Sequence, residues 1–271
     1  MTLRVVTANV NGIRAAFRRG GMDWLADCGA DVICLQEVRA TADQVGEVLG
    51  AAGFGEWDLA LATGARGGHA GVALLSRAPM TDVVVGVGGG EFDDQGRWVE
   101  ATVPQPAGPG SLRIASVYVH TGEAEGPRLE EKDRFLTAMG AWLAKRADEP
   151  ALVCGDLNVA HTRHDIKNWR GNRGRAGFLE SEQAHLDRWY ADPPDGLGWT
   201  DLGRRFAGDV PGPYTWWSWR GRGFDTDGGW RIDCALASPA MAASATGVVV
   251  HKAAAYAERW SDHAPVSATF A

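Results

Sequence analysis

The chain has 271 residues, 45% hydrophobic and 23% charged, with a formal net charge of −7; that suits one large globular domain or two small ones and excludes a disordered or fibrous chain. No apolar stretch approaches the ~20 residues that cross a bilayer, and Met1-Thr2-Leu3-Arg4-Val5 lacks signal-peptide form, so a cytoplasmic protein with no membrane contact is expected. The acidic sum argues mildly against a general nucleic-acid binder, although charge placement matters more than the sum.

Leu3 to Gly12 is an apolar strand that ends in two amides at alternate positions, Asn9 and Asn11, and then glycine. Asp23–Cys28 reads as a short helix stopped by Gly29. Asp31–Leu35 is a second apolar run, ending in Gln36-Glu37. Thr41-Ala42-Asp43-Gln44 has capping-box form, and Val45, Val48, Leu49 and Ala52 follow at helical spacing. Strands are expected over Trp57–Ala62, Ala70–Leu75, Thr81–Val87, Arg97–Val103 and Leu112–Val119, with Pro104–Gly110 an exposed loop. Pro127 suits a helix start, and Leu129, Leu136, Met139 and Leu143 carry a helical stripe to about Arg146. Leu152-Val153-Cys154-Gly155-Asp156-Leu157-Asn158 is another apolar strand that closes on glycine and two alternate polar residues. A helix over Leu179–Tyr190 stops before Pro193-Pro194, and strands return at Arg231–Ala237, Thr246–His251 and Val266–Phe270.

Strands and helices are mixed along both halves, which makes an α/β chain. Strand doublets without intervening helices argue against a simple doubly wound sheet. Each half opens with a strand ending in paired polar residues, a hint of pseudo-twofold duplication. Cys28, Cys34, Cys154 and Cys234 lack ligand spacing and read as reduced, mostly buried thiols.

Four strand-like runs thus end or begin beside oxygen ligands or a histidine, the fourth being Trp260-Ser261-Asp262-His263-Ala264-Pro265 before the last strand. One such ending is ordinary; four imply a shared polar cluster. Carboxylates and amides with one histidine suit Mg²⁺ or Mn²⁺ rather than zinc, and the matching chemistry is metal-assisted phosphodiester hydrolysis. A local basic patch, Arg163, Lys167, Arg170, Arg173 and Arg175 against the single acid Asp165, reads either as a DNA contact or as a solvated polar loop.

The ordered set Asn9-Val10-Asn11-Gly12-Ile13-Arg14, Leu35-Gln36-Glu37, Gly155-Asp156-Leu157-Asn158-Val159-Ala160-His161, Trp230-Arg231-Ile232-Asp233 and Ser261-Asp262-His263 closely resembles the exonuclease III family of apurinic/apyrimidinic endonucleases, within the endonuclease–exonuclease–phosphatase superfamily. The stretch from Asp165 to Phe178 narrows the resemblance to the DNA-repair branch. The resemblance implies one catalytic domain over residues 1–271, a four-layer α/β sandwich of two packed mixed β-sheets flanked by helices, with the active site at one edge of the sheets. It also implies a division of labour among these residues. Asp156 is the general base and Asn158 the hydrogen-bond donor to the phosphoryl oxygen. Asp233 orients His263, and Tyr118 touches the phosphate. Glu37 with Asn9 holds Mg²⁺, with Asp156, Asn158 and Asp262 at the metal edge, and Mn²⁺ substitutes. Asn11, Arg97, Asn168 and Asn172 face duplex DNA. Trp217 and Trp219, which alternate and would share a face, line the pocket for an extruded abasic sugar with Trp230, while Trp216 is assigned to the core.

The chain departs from the family pattern after Tyr118-Val119, where proline and asparagine are usual and His120-Thr121 stand instead. The Arg220–Asp227 loop, rich in glycine and arginine and suited to insertion into a groove, does not match a family motif well, and its role is open. The expected activity is a Mg²⁺-dependent nuclease, acting as a monomer, that cleaves 5′ to abasic sites and processes 3′ ends of duplex DNA. The rivals are a superfamily phosphatase for soluble esters and a DNA-binding module that lost activity.

Overall fold

The computed structural model describes residues 2–65, 68–105 and 110–271; Pro106–Pro109 of the expected exposed loop lie outside them. The strands are β1 (Leu3–Asn9), β2 (Val32–Gln36), β3 (Asp58–Ala62), β4 (Val72–Ser76), β5 (Thr81–Val85), β6 (Trp98–Pro104), β7 (Ser111–Tyr118), β8 (Ala151–Asp156), β9 (Thr200–Asp201), β10 (Asp233–Ala237), β11 (Ala245–Val250) and β12 (Val266–Phe270). The α-helices are α1 (Ile13–Arg18), α2 (Gly21–Asp27), α3 (Ala42–Ala51), α4 (Pro127–Lys145), α5 (Glu180–Tyr190), α6 (Leu202–Ala207) and α7 (Pro239–Ala243).

Two six-stranded sheets form, in the orders β11-β12-β1-β2-β4-β3 and β5-β6-β7-β8-β10-β9. Among the described residues, only β1–β2 and β7–β8 are parallel pairs. Parallel neighbours need a crossover, and α1 with α2 supplies the first and α4 the second. The remaining pairs are antiparallel, which is why strand doublets run without helices between them.

Alternation along each strand builds the layers. Val5, Cys34 and Leu74 of the first sheet face Ile114, Leu152 and Cys154 of the second, forming the core between sheets. Val6, Ile33 and Leu75 point the other way, onto Ile13, Leu25, Val45 and Leu49 of the helices. Ala115, Val117 and Val153 likewise meet Phe135, Leu136, Met139 and Trp189. At about 1.5–3 kcal/mol for each fully buried large apolar side chain, this inward face of α4 holds the helix down more firmly than helix propensity does. The four-layer arrangement expected from the sequence is the one observed.

The two sheet orders coincide when β1 is matched with β7 and β2 with β8. The duplication hinted at by the sequence is therefore present in the topology, but with a different pairing: the Leu3–Asn9 strand corresponds to Ser111–Tyr118, not to the Ala151–Asp156 strand. Helices α1, α6 and α7 and strand β9 were not anticipated. They have six, six, five and two residues, too few for a periodicity window to register.

The Thr41–Gln44 capping box is formed on both sides, with Gln44 N donating to Thr41 Oγ1 at 3.4 Å and Thr41 N to Gln44 Oε1 at 3.2 Å. Both bonds are long and exposed, so Thr41→Ala is expected to cost about 0.5–1 kcal/mol, the low end for a cap. A urea titration checks this, as a shifted midpoint at unchanged slope.

Candidate active site

The ends of β1, β2, β7 and β8 and the start of β10 meet at one edge of the sandwich. Register does the alignment: Asn9 lies beside Gln36, and Tyr118, Asp156 and Asp233 lie side by side across three strands. Gly155 makes the β7–β8 approach possible, since a Cβ there would sit 2.0 Å from the Val117 carbonyl oxygen.

Just past these strand ends the backbone turns through left-handed conformations at Asn11 (φ 45), Glu37 (φ 51) and Asn158 (φ 50). Asparagine tolerates this region; glutamate there costs about 1 kcal/mol or more, a strain typical of functional positions. Two of the turns share one mechanism. Asn9 Oδ1 accepts from Asn11 N at 3.0 Å, and Asp156 Oδ1 accepts from Asn158 N at 2.8 Å. Each strand-end side chain thus closes its own turn two residues on, which is the physical content of the Asn-x-Asn and Asp-x-Asn spacing.

The side chains form one network. Asn9 Nδ2 donates to Glu37 Oε1 at 2.8 Å and to Asp156 Oδ2 at 3.0 Å. Asp233 Oδ2 lies 2.9 Å from His263 Nδ1, and His263 Nε2 lies 3.8 Å from Asp156 Oδ2. Ser261 fixes the last loop by donating to the Asn9 carbonyl at 2.7 Å and accepting from His263 N at 3.2 Å. Asn158 Nδ2 donates to the Val119 carbonyl at 2.9 Å, which leaves its second hydrogen near Asp156 Oδ2 at 3.4 Å. Asp262 accepts from Asn11 Nδ2 at 2.7 Å and from Trp216 Nε1 at 3.1 Å.

Burial is the main cause that pushes the Asp156 carboxyl up to about 7; the Asp233 and Glu37 carboxylates add to it and His263 opposes it. Burial works against charge on His263, but Asp233, helped by Asp156 and Asp262, overcomes it and raises the imidazole to about 10. Burial likewise raises the Tyr118 phenol, with Glu37 and Asp156 adding to the shift and the Thr121 hydroxyl, hydrogen-bonded to it, acting the other way.

Glu37, Asp156 and His263 each place a ligand atom within 4.8 Å of the other two, all three buried. That donor set of two carboxylates and one imidazole, with the Asn9 amide beside it, fits a divalent cation. Asp262 stands at the rim, both oxygens already engaged.

A cleft of about 290 Å³ opens over the network, walled by Tyr118, Thr121, Asn158, Trp216, Trp230 and Ile232. The expected residues Asn9, Asn11, Glu37, Tyr118, Asp156, Asn158, Trp230, Asp233, Asp262 and His263 are thus gathered at or against it. Arg97 stacks 4.9 Å over the Tyr118 ring and donates to the Tyr118 carbonyl at 3.2 Å, facing a neighbouring polar groove with His120 and Thr121. Asn168 and Asn172 lie outside the cleft on the basic loop, where Asn172 Nδ2 donates to the Asn168 carbonyl at 2.8 Å and Arg170 and Arg173 stack on Trp169.

The tryptophans correct the sequence reading. Trp217, expected in the pocket, is 1% exposed and packs with Tyr214, Phe224 and Ala264. Trp219 is off the pocket, stacked by Arg19 and Arg259. Trp216, expected in the core, lines the cleft, 6.2 Å from Trp230 and 6.5 Å from the His263 ring. Residues 216–219 form no strand, so the expected alternation does not hold there. Three further groups escaped the sequence reading. Arg39 bonds Asn11 Oδ1 at 2.7 Å and pairs with Glu37. The fully buried Lys132 spends its three donors on Glu182 Oε1 (2.6 Å), the Asn158 carbonyl (2.9 Å) and the Thr121 carbonyl (3.3 Å). Thr215 Oγ1 accepts from both Ile232 N and Asp233 N at 3.1 Å. Lys132, in a helix spaced like any amphipathic one, gave no signal; Arg39, two residues after Glu37, had one in its position.

A strand-edge site with a carboxylate–imidazole pair, a buried carboxylate beside it and a cation-binding donor set is that of a phosphoester hydrolase on a two-sheet sandwich. The chain belongs to the Endonuclease/Exonuclease/phosphatase family, whose model matches residues 6–263. Among curated proteins it is similar to the exodeoxyribonuclease of Bacillus subtilis, 29% identical over 88% of this chain and 89% of that one. It is also 30% identical to the Recombination repair protein 1 of Drosophila melanogaster over 99% of this chain, which spans 37% of that longer protein. Among solved structures it is similar to a 3′-phosphatase from Neisseria bound to a product DNA hairpin, with TM-score 0.84, 27% identity and 99% of each chain covered. An AP endonuclease from Archaeoglobus fulgidus matches with TM-score 0.82 and 25% identity, again over 99% of each chain.

Proposed function

We propose that this chain is a Mg²⁺-dependent DNA-repair nuclease that hydrolyses phosphodiesters 5′ to abasic sites and at the 3′ ends of duplex DNA, working as a monomer. The observation that carries the reading is the Asp233–His263–Asp156 line beside Glu37, all under a cleft walled by Trp216 and Trp230. The exodeoxyribonuclease, 3′-phosphatase and AP endonuclease named above support the substrate class.

In this reading Glu37 and Asp156, with the Asn9 amide beside them, are the residues that would hold the cation, which when bound would supply charge to the phosphoryl oxygens. Asp156 takes the proton of the attacking water. His263, held protonated by Asp233, presents Nε2 to the phosphoryl oxygen. The second hydrogen of the Asn158 amide, which makes only a long 3.4 Å contact to Asp156 Oδ2, turns to the same developing charge, with the other hydrogen fixed on the Val119 carbonyl. Tyr118 offers its phenol to the phosphate, and the Thr121 hydroxyl stands where the family's asparagine amide is usual. Trp216 and Trp230 offer flat apolar walls to a sugar that has no base, the nucleotide that leaves the stack at least cost. The basic loop with Asn168 and Asn172 contacts phosphates, which positions a duplex without reading its sequence.

The test is incubation of the purified protein with two labelled duplexes, one bearing a single abasic analogue and one intact with a recessed 3′ end, each with Mg²⁺ and with EDTA. Metal-dependent incision at the analogue, and laddering from the recessed end, are the expected results. Binding of both without cutting either refutes the nuclease reading. Binding itself is expected to weaken steeply with salt, as phosphate contacts require; a salt-independent affinity would refute the duplex-contacting loop.

A further inference from the structure

Lys132 lies in the second turn of α4 with no exposed surface, and it spends all three of its donors away from its own helix. Its ammonium donates to Glu182 Oε1 at 2.6 Å, to the Asn158 carbonyl at 2.9 Å and to the Thr121 carbonyl at 3.3 Å. A buried ion pair is weak evidence of stability, since well-packed apolar residues of similar volume often hold a fold as well or better. Helix α4 is in any case anchored by Phe135, Leu136, Met139 and Leu143, all fully buried. What an ammonium adds is direction: it fixes the oxygens that accept from it.

Two of those oxygens belong to residues that wall the catalytic cleft, Asn158 and Thr121. Asn158 stands at φ 50, in a region open to asparagine but not its default. Its N–H is held by Asp156 Oδ1 at 2.8 Å, and its side chain by the Val119 carbonyl at 2.9 Å. Among the described residues, Lys132 alone donates to its carbonyl, and likewise to that of Thr121. The turn after Thr121 is laid directly on the lysine stem: at Gly122 (φ 74) a Cβ would sit 2.9 Å from Lys132 Cδ. Glu182 holds the ammonium from the other side and is itself fixed, its second oxygen accepting from Leu179 N at 3.0 Å.

We propose that Lys132 is a positioning residue for the hydrolysis: by holding the Asn158 carbonyl it keeps the Asn158 turn, and with it the Nδ2 donor, aimed at the phosphoryl oxygen. Buried as it is, it touches neither substrate nor cation and acts through Asn158. The role rests on the nuclease reading above and adds to it a part played from the outer helix layer.

Single-turnover incision of the abasic duplex, duplex affinity and the order parameter of the Asn158 side-chain amide are measured for wild type, Lys132→Met, Asn158→Ala and the double variant. Methionine leaves Glu182 charged and alone, so Lys132→Met/Glu182→Gln is carried through the same cycle in case the first variant does not fold; glutamine removes the charge and keeps an oxygen for Leu179 N. Lys132→Met is expected to slow incision about tenfold or more, with affinity held within a few-fold; this is part of the roughly 10²–10³-fold that removing a whole oxyanion donor costs. In the Asn158→Ala background the same substitution is expected to change the rate less than about threefold, because the group it acts through is gone. The Asn158 amide is expected to turn mobile on the ps–ns timescale in Lys132→Met. The proposal is overturned by a loss of the same size in both backgrounds, by a Lys132→Met rate within about threefold of wild type, or by an amide as rigid as in wild type. A wild type that cuts no duplex refutes the nuclease reading instead, and the amide mobility then decides alone whether Lys132 fixes Asn158.

Discussion

Asp156→Asn is expected to lower the rate of incision at an abasic site by about 10²–10⁴-fold, the range for loss of a positioned general base, while leaving duplex affinity within a few-fold. The amide keeps the shape of the carboxylate and still accepts from Asn158 N, so the turn beyond β8 survives. It cannot take a proton, and its nitrogen faces Asn9 Nδ2, which now bonds the carboxylate at 3.0 Å. Single-turnover cleavage alongside a binding titration separates the two quantities; cleavage at the wild-type rate would remove Asp156 from the mechanism. A stability signature accompanies it. The folded-state carboxyl is raised from the ordinary 3.8 to about 7, chiefly by burial. A raised carboxyl contributes stability that is fully present below the unfolded value and lost as pH rises through the folded one. In EDTA, wild type should therefore lose stability between about pH 4 and pH 7 relative to Asp156→Asn, and denaturation curves across that interval read the difference. Parallel pH dependences would mean that Asp156 is ionised throughout.

Much of this site was legible because its signals are local. An apolar run closing on Asn-x-Asn or Asp-x-Asn states both where a strand stops and how its last side chain caps the next turn, and Asn9, Asn11, Asp156 and Asn158 stand where that logic puts them. Strand register was not legible. Nothing in the sequence of β7, β8 or β10 says that Tyr118, Asp156 and Asp233 fall in one row, since hydrophobic alternation fixes a face but not an offset along the neighbour. The tryptophan error has the same origin. Trp216 is held by isolated bridges to Trp230 and His263 rather than by a strand, so no run of alternating residues fixed its phase, and the Trp216 indole turned to Asp262 instead of the core. The duplication was visible as a pattern of endings but mispaired, because β1 and β8 resemble each other in sequence while β1 and β7 correspond in connectivity.

Arg231→Met is expected to destabilise the fold by about 3–5 kcal/mol, the cost of leaving a buried charge without its partner. Arg231 is 3% exposed and holds Asp165, which is fully buried, and Asp201. Its backbone N–H also donates to the Asp165 carbonyl at 2.7 Å. It therefore ties the turn that begins the basic loop to the residues that lead into Asp233. Methionine fills the space of the stem but leaves Asp201 unpaired and Asp165 with Arg204 alone. If the unpaired charge is the cause, adding Asp201→Asn recovers part of the loss even though one more polar contact is gone; a double variant weaker than the single one would place the stabilisation in the attraction itself. The pH dependence separates the cases further. Burial pushes the Asp165 carboxyl up, but Arg231 and Arg204 overcome it and hold it well below the usual carboxylate range. A depressed carboxyl stabilises above the unfolded value, about 4, and that contribution is lost as pH falls toward the folded one. Without Arg231, burial regains weight and the Asp165 carboxyl moves upward. The gap between wild type and Arg231→Met in urea midpoint is therefore expected to be widest at neutral pH and to narrow below about pH 4, whereas a gap that stays constant with pH would assign the loss to packing around the arginine stem.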